Sequence, residues 1–321
     1  MRKLFISVLC IFALLTTACG SETQDSSADT SSSAPASGQT LRIGLMPDID
    51  SIPFIIAQEK GYFKEEGVNV ELEHFKSAMD RDSALQSGNL DGAVSDMLAA
   101  GFAREGGFDV KITSDTNGNY CLIAGTANQA QSLADMKGQN ISVSKNTIIE
   151  FVLDQMLAQN QMTEEDISKT VIPQIPTRLE MLQNGKLDAA VLPEPMGSIA
   201  VKNGSRLINS SEQMKVNPGV MVFTSDSLKD KKEALAAMYR AYDKAIDYLN
   251  STPQDEYIDM VIKESGLPPA TKEALTMPKF AKAALPQKSD WEKSIKWLND
   301  KGLVKENIGY DDIVSNALGL K

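Results

Sequence analysis

The sequence predicts an α/β protein of two similar lobes, each a mainly parallel sheet flanked by helices, with a ligand cleft between the lobes. Three observations support this prediction. From Leu41 onward, short apolar runs alternate with amphipathic helical stretches, which is typical of a parallel sheet covered by helices. A ten-residue motif occurs twice in the chain. Finally, 42% of the 321 residues are hydrophobic and 23% are charged, which is enough apolar material for two cores.

The elements of the first lobe follow one another closely. We predict strands over residues 41–46, 68–74, 91–94 and 110–113, and helices over 53–64, 80–87 and 97–104. A long helix is expected over 231–249, and its apolar stripe at helical spacing predicts core packing: Leu235, Met238, Tyr239, Tyr242, Ala245, Ile246 and Leu249. We also expect Trp291 and Trp297 to pack in the first lobe.

The repeated motif predicts that one structural unit is built twice. Residues 85–94 (LQSGNLDGAV) and 182–191 (LQNGKLDAAV) are identical at seven of ten positions. Arg81 matches Arg178 at the same offset of 97 residues, and the strand over 41–46 has its counterpart over 141–144, whose end falls within one residue of that offset. The glycine is typical of a helix end in the left-handed conformation, and the residues after it begin a buried strand. We expect lobe 1 to comprise residues 41–118 plus 220–321, and lobe 2 residues 119–219.

The first forty residues predict export and attachment to a membrane. Arg2 and Lys3 precede an apolar run over 4–15, which is too short to span a bilayer and is typical of a signal peptide, here 1–18. Cys19 resembles the acylated cysteine of bacterial lipoproteins, although Thr16 stands where leucine is usual; the alternative is ordinary cleavage that leaves Cys19 as a thiol. Residues 19–40 predict a flexible tether. We therefore expect an extracytoplasmic lipoprotein anchored to the bacterial cell membrane.

Charge and cysteine content disfavour several kinds of partner. The formal charge of −11 becomes −13 when Arg2 and Lys3 leave with the signal peptide, which argues against nucleic acid and anionic headgroups. Cys121 is then the one cysteine of the folded region, so we expect no disulfide there. The residue pattern suggests neither a metal site nor a resident cofactor.

Candidate ligand-binding residues lie in the loops after the strands, because ligands of open α/β sheets bind at the carboxyl ends of the strands. Arg81 and Arg178 suit a sulfonate, carboxylate or phosphate, whereas acidic residues favour an amine or a ring donor. The candidates are Asp48, Asp50, Ser51, Ser77, Arg81, Ser95, Asp96, Tyr120, Ser144, Asn146, Thr147, Thr177, Arg178 and Glu194. The expected apolar walls are Phe54, Phe75, Tyr120 and Met196.

Several of these candidates have a structural alternative. Asp50, Ser51 and Asp96 are residues of the kind that cap helices. Glu194 stands in a turn between prolines, and Arg178 has Glu180 and Glu164 as surface partners. The sole histidine, His74, ends a strand and is expected to be structural or exposed to solvent.

Three segments resemble the periplasmic binding proteins for aliphatic sulfonates, taurine, nitrate and thiamine-pyrimidine precursors. They are residues 57–72 (AQEKGYFKEEGVNVEL), 84–91 (ALQSGNLD) and 188–195 (DAAVLPEP), together with Ser142-Val143-Ser144 before a helix. The resemblance covers residues 41 to about 223. It implies a type II periplasmic-binding-protein-like fold and a monomeric, hinged receptor. Such a receptor closes on a ligand and delivers it to the permease and ATPase of an ABC importer.

Three functions are compatible with this resemblance. The first is a receptor, not an enzyme, for a small organic anion or zwitterion such as a sulfonate or taurine. The second is a receptor for a thiamine-precursor pyrimidine or another aminated heterocycle. The third is an enzyme like the fungal pyrimidine synthases of the same superfamily, which hold pyridoxal phosphate on a lysine. The cysteine-rich motif of those synthases has no match in this chain.

Overall fold

The computed structural model describes residues 39–320. The predicted signal peptide over 1–18 and Cys19 lie outside the described residues, as does the predicted tether up to residue 38. The described strands are β1 Thr40–Leu45, β2 Asn69–His74, β3 Gly92–Asp96, β4 Val110–Asp115, β5 Tyr120–Ala124, β6 Asn140–Val143, β7 Ser168–Val171, β8 Ala189–Pro193, β9 Arg206–Ser210 and β10 Gly219–Thr224.

Up to β10 the α-helices lie between strands, and after β10 they follow one another to the end of the described chain. They are α1 Ile52–Glu59, α2 Tyr62–Glu65, α3 Ala78–Gln86, α4 Met97–Glu105, α5 Ile148–Gln159, α6 Ile175–Gln183, α7 Met196–Lys202, α8 Ser211–Met214, α9 Ser225–Asp230, α10 Lys232–Ser251, α11 Ile258–Ser265, α12 Thr271–Ala274, α13 Lys288–Asp300 and α14 Tyr310–Ile313. Within residues 39–320, none of them has the length and hydropathy needed to cross a bilayer.

Two five-stranded sheets with the same layout organise the fold. Their strand orders are β2-β1-β3-β10-β4 and β7-β6-β8-β5-β9. In the first sheet β1 pairs in parallel with β2 and β3, and β10 pairs antiparallel with β3 and β4. The second sheet repeats this pattern, with β5 as its antiparallel strand. The predicted α/β fold of two mainly parallel sheets is confirmed.

We call each sheet with its helices a lobe, the first lobe containing β1 and the second containing β6. The chain passes from β4 to β5 and returns from β9 to β10, so each antiparallel strand follows a crossing between lobes. The predicted boundaries, 41–118 plus 220–321 and 119–219, stay a proposal that this strand membership supports. Helix α13 packs on α4 of the first lobe, where the Ser294 hydroxyl donates to the Met97 sulfur over 3.6 Å.

The repeated motif has the same local structure in both lobes. Gly88 and Gly185 adopt left-handed conformations, with φ of 77° and 66°. After each glycine an aspartate accepts a hydrogen bond from an adjacent parallel strand, β1 in the first sheet and β6 in the second. Asp91 accepts a hydrogen bond from the amide of Arg42, and Asp188 accepts one from the amide of Asn140, each over 2.9 Å. The motif therefore joins a helix end to a strand start by the same contacts in each lobe.

Two sequence predictions about local structure are wrong. The single helix predicted over 53–64 is two helices, because Gly61 takes the left-handed conformation (φ 76°) between α1 and α2. Trp297 does not pack only in the first lobe: its ring meets Phe151 of α5 edge-on, at 5.8 Å between centroids. By contrast, the apolar stripe of α10 is buried as predicted, and Trp291 is buried with its indole nitrogen bonded to the Ile308 carbonyl.

Candidate functional site

A small cavity lies between the two lobes at the carboxyl ends of the parallel strands. Its volume is about 30 Å³, which is room for about two water molecules. The lobes contact each other beside it, since the Ile49 amide donates to the Glu194 carbonyl over 3.0 Å and the Ile175 amide donates to the Lys76 carbonyl over 3.1 Å. The structure is therefore a closed form, in which only a small ligand fits without movement of the lobes.

Eight of the candidate residues line this cavity, and both lobes contribute. They are Asp48, Arg81, Ser95, Asp96, Tyr120, Ser144, Thr147 and Arg178. Each lies at the end of a parallel strand, in the turn after it or in the first turn of the next helix, except Tyr120, which begins β5. Their presence in one cavity does not by itself assign a ligand to them, so their binding role stays a prediction.

Three other candidates lie behind the cavity lining of the first lobe. Ser51 accepts a hydrogen bond from the Met46 amide over 3.0 Å and donates to Asp48 over 3.2 Å. Ser77 caps α3, where its hydroxyl accepts from the Asp80 amide. Asp50 is buried and accepts a hydrogen bond from the Tyr120 hydroxyl over 3.3 Å. These residues support the cavity wall from behind.

The remaining three candidates belong to the second lobe and also lie outside the cavity lining. Asn146 takes a positive φ of 58°, and its amide donates to Glu150 over 2.7 Å. Thr177 is exposed. The carboxylate of Glu194 accepts from the Ser198 amide over 3.0 Å and does not face Asp96 across the cavity.

Arg81 is buried in the first lobe and is paired with acids. Its Nη1 donates to the Val94 carbonyl over 3.2 Å, and its Nε donates to Asp82 over 2.8 Å. Its Nη2 lies 3.7 Å from the Asp96 carboxylate. Although burial alone would lower the pKa of Arg81, Asp82 and then Asp96 raise it. Arg81 is thus a compensated charge on the cavity wall.

Arg178 is fully buried in the second lobe and has no acidic partner among the described residues. Its Nε donates to the Val191 carbonyl over 2.8 Å and its Nη1 to the Ile172 carbonyl over 2.7 Å. Its Nη2 has no hydrogen-bond partner within the described chain. Burial lowers the pKa of Arg178 to about 9. The predicted surface pairing with Glu180 or Glu164 is wrong, because Glu164 pairs with two lysines instead.

The repeat explains why the two arginines differ in charge compensation. Both anchor to the equivalent strand carbonyl, Val94 in one lobe and Val191 in the other. However, the position of Asp82 is taken by Leu179 in the second lobe, and the position of Asp96 is taken by Pro193. Both carboxylates near Arg81 are therefore replaced by uncharged residues near Arg178. The second lobe presents an uncompensated positive charge to the cavity.

The first lobe presents carboxyl groups instead. Burial, and then the neighbouring Asp50, raises the pKa of Asp48 well above its usual value. Burial also raises the pKa of Asp96, in spite of Arg81. Asp96 caps α4 by accepting from the Ala99 amide over 2.8 Å. The two walls thus differ, with a free cation on one side and hydrogen-bonding carboxyls on the other.

The start of α5 adds polar groups beside Arg178. Thr147 caps this helix, accepting from the Ile149 amide over 3.3 Å and donating to the Ser144 carbonyl over 2.8 Å. The N-terminus of a twelve-residue helix carries a partial positive charge. It therefore adds to the positive potential on this side of the cavity.

Sequence reasoning missed most of the apolar lining. The cavity is walled by Met46, Ala78, Val94, Ile148, Ile149, Pro173, Ile175 and Pro193, and the expected Phe54, Phe75 and Met196 do not line it. Phe54 instead packs on Tyr242, at 4.9 Å between ring centroids. A usable signal was present, because Ile148 and Ile149 follow a capping Thr147 and so stand at a helix start that opens into the cleft.

Comparison with known proteins decides the family. The model of a family described as NMT1/THI5 like matches residues 48–256. The chain belongs to this family. A protein of Brachyspira hyodysenteriae, described as an ABC transporter periplasmic binding protein, is 24% identical to it over 271 residues, covering 77% of this chain and 73% of that protein. The predicted family resemblance is therefore confirmed.

Solved structures of similar fold include binding proteins of this kind. The alkanesulfonate-binding protein SsuA from Xanthomonas axonopodis pv. citri, bound to MOPS, has a TM-score of 0.73 at 17% identity, covering 86% of this chain and 98% of that chain. The periplasmic nitrate-binding protein NrtA from Synechocystis PCC 6803 has a TM-score of 0.71 at 15% identity, covering 88% of each chain. The family member described here thus has the periplasmic-binding-protein fold.

The same fold also occurs in an enzyme, the desulfurization enzyme DSZB, with a TM-score of 0.63 at 13% identity, covering 87% of this chain and 97% of that chain. Within residues 39–320, the thiol and imidazole groups lie away from the cavity lining. His74 is exposed at the end of β2. Cys121 is buried, and its thiol donates to Glu194 over 3.4 Å. Burial, and then Glu194, raises the pKa of Cys121 well above its usual value, which makes the thiol a poor nucleophile.

Proposed function

We propose that this family member is the extracytoplasmic solute receptor of an ABC importer and that it binds a small organic anion or zwitterion between its lobes. The observation that carries this proposal is the buried Arg178, which has an unpartnered Nη2 and no carboxylate beside it. Its membership of the family and its fold are consistent with the proposal. The protein acts as a monomeric receptor, not as an enzyme, and holds no cofactor.

The unpartnered Nη2 of Arg178 is significant because burying a charge is energetically costly. A buried charge without a partner is unfavourable by several kcal/mol, and such groups are normally paired. An anion on Nη2 of Arg178 would supply the missing partner at each binding event. The carboxyl groups of Asp48 and Asp96 across the cavity would accept hydrogen bonds from an amine of the same ligand. A compact molecule with an acidic end and an amino end, such as an aminosulfonate, suits both walls.

The proposal extends to delivery and attachment. The receptor would hand its ligand to the permease of an importer driven by an ATPase. A lipid on Cys19 and the tether up to residue 40 would keep it at the outer face of the membrane. Metabolic labelling with a fatty acid, in wild-type cells and in a Cys19→Ser strain, tests this part. Label that persists in the variant would refute the lipid anchor.

The ligand class is tested by calorimetry and thermal shift on protein refolded from urea. The probes are taurine, ethanesulfonate, nitrate and an aminopyrimidine. We expect taurine to stabilise the protein and Arg178→Met to weaken its binding by about a hundredfold, as two lost hydrogen bonds to a charged group imply. Arg42→Met is the matched control, because Arg42 is exposed on the surface. Binding of only the aminopyrimidine would favour the alternative receptor, and unchanged affinity in Arg178→Met would refute the role of Arg178.

A second variant tests the physical reason directly. Pro193→Asp places a carboxylate near Arg178 where the first lobe has Asp96. We expect the new carboxylate to occupy the guanidinium and so to weaken anion binding by at least tenfold, because the ligand must displace it. Circular dichroism checks that the variant is folded. Anion binding as tight as in the wild type would show that compensation of Arg178 does not matter.

A further inference from the structure

Helix α13 of the first lobe reaches across to the second lobe outside the cavity lining. The indole nitrogen of Trp297 donates to Asp154 of α5 over 2.9 Å. The ammonium group of Lys301 lies 3.0 Å from Asp154, 2.8 Å from Glu164 and 3.6 Å from Glu150. All three carboxylates belong to the second lobe, so one lysine and one tryptophan of the first lobe join it by several charged contacts.

The carboxylates form a socket that is already partly neutralised within the second lobe. Lys169 contacts Glu150, Asp154 and Glu164 at 2.8, 2.8 and 2.9 Å. Three negative charges therefore face one resident positive charge, and Lys301 is the second cation. The three carboxylates also have the spacing of a metal site, but the two ammonium groups already bind them.

An apolar contact lies beside this socket. Trp297 is 7% exposed and meets the ring of Phe151 edge-on, at 5.8 Å between centroids. The ammonium group of Lys301 also lies 5.0 Å from the centroid of the Trp297 ring, within the range of a cation–π interaction. The Lys301 and Asp154 side chains are 22% and 13% exposed. Because charged contacts strengthen where water is excluded, the contact between them is worth more than an exposed salt bridge.

Glu150 connects the socket to the ligand cavity. One of its oxygens bonds Lys169, and the other accepts a hydrogen bond from the Asn146 amide over 2.7 Å. Asn146 lies between Ser144 and Thr147, which both line the cavity. Movement of Lys301 away from the socket would thus alter the contacts of Glu150, and through them the turn at Asn146 that holds Ser144 and Thr147.

We propose that Trp297 and Lys301, together with Glu150, Asp154 and Glu164, form a closure latch. It holds the lobes closed in the absence of ligand, and through Glu150 it positions the turn at Asn146. The latch rests on the two-lobe closure of the proposed function but not on any particular ligand.

The latch is tested on ligand-free protein refolded from urea, by small-angle X-ray scattering. We expect a closed fraction in the wild type. In Lys301→Met the closed-to-open ratio should fall by about tenfold, the factor that corresponds to one lost hydrogen bond to a charged group. In Lys301→Glu it should fall further, since a fourth carboxylate faces the socket. The matched control is Lys296→Met, because Lys296 is exposed and its one acidic partner within the described chain is Asp300 on its own helix.

Two further measurements keep the result decisive. Amide exchange at Asn146 should be faster in Lys301→Met than in Lys296→Met, because the latch no longer steadies Glu150. If a Lys301 variant loses cooperative unfolding, Trp297→Phe replaces it, since it keeps a ring on Phe151 and removes only the indole donor. Wild-type protein that scatters as fully open, or Lys301 and Trp297 variants that stay as closed as the wild type, would overturn the latch. Failure of every anion to bind would refute the proposed function and leave these measurements unaffected.

Discussion

Asp50 gives a prediction about stability and pH. It is 1% exposed, its Oδ2 accepts from the Tyr120 hydroxyl, and its Oδ1 has no partner among the described residues. Burial raises the pKa of Asp50 from 3.8 to about 6, although Thr116 and Tyr120 oppose this rise. Asp50→Asn keeps the shape of the side chain and removes its titration. We therefore expect the variant to change how stability depends on pH.

The size of the effect follows from the shift. Between pH 3.8 and about 6 the folded protein keeps a proton on Asp50 that the unfolded chain has released. The stabilisation is therefore fully present below pH 3.8 and is lost as the pH rises through about 6. A shift of 6 − 3.8, about two units, corresponds to about 3 kcal/mol. Relative to wild type, the free energy of unfolding of Asp50→Asn should thus rise by about 3 kcal/mol across this window.

The assay is urea denaturation followed by circular dichroism at several pH values from 3.5 to 7.5. The quantity of interest is the difference in the free energy of unfolding between variant and wild type at each pH. Asp230→Asn is the matched control, because Asp230 is exposed at the end of α9 and its difference should stay flat. A flat difference for Asp50→Asn as well would show that the Asp50 carboxyl ionises freely in the folded protein.

Two further predictions concern contacts that hold the first lobe together. Gly92→Ala should lower the free energy of unfolding by about 3 kcal/mol in urea denaturation, because overpacking forces the core to move; the new Cβ would lie 2.3 Å from the Phe223 ring and 2.7 Å from the Val222 carbonyl. A variant as stable as wild type would contradict this. Asp91→Asn should cost about 2 kcal/mol, because the charged group bonds Lys231 at 2.8 Å and the Ser227 hydroxyl at 2.6 Å. A decrease in the free energy of unfolding no greater than that of Asp230→Asn would refute this prediction for Asp91.

The sequence was most informative where local and tertiary requirements coincide. The motif at 85–94 and 182–191 predicts a helix end, a left-handed glycine and a buried strand, and each of these is present twice. The equivalence of Arg81 and Arg178 also followed from the repeat, and both anchor to the equivalent strand carbonyl. Such features depend on neighbours close in the sequence, so one pattern describes both copies.

What the sequence could not predict depends on contacts between distant segments. Nothing near Trp297 indicates that it faces Phe151, because these residues belong to elements of different lobes. The lack of a charge partner for Arg178 was also missed. Glu180 and Glu164 are near it in the sequence, but the side chain turns inward to the carbonyls of Ile172 and Val191. Leu179 and Pro193 replace the two acidic residues of the first copy, and the effect of this on Arg178 is evident only from the three-dimensional structure.

The position of β10 has a consequence for the order in which the protein folds. The second sheet is built from β5 to β9, which are consecutive in the chain, whereas the first sheet needs β10 between β3 and β4. During synthesis, about a hundred further residues must therefore be added after β4 before β10, the strand that pairs with both β3 and β4, is present. Pairings between distant segments form slowly. The second lobe can complete its sheet while the first is still two separate pieces, which makes the middle of the chain the expected folding nucleus of the whole protein.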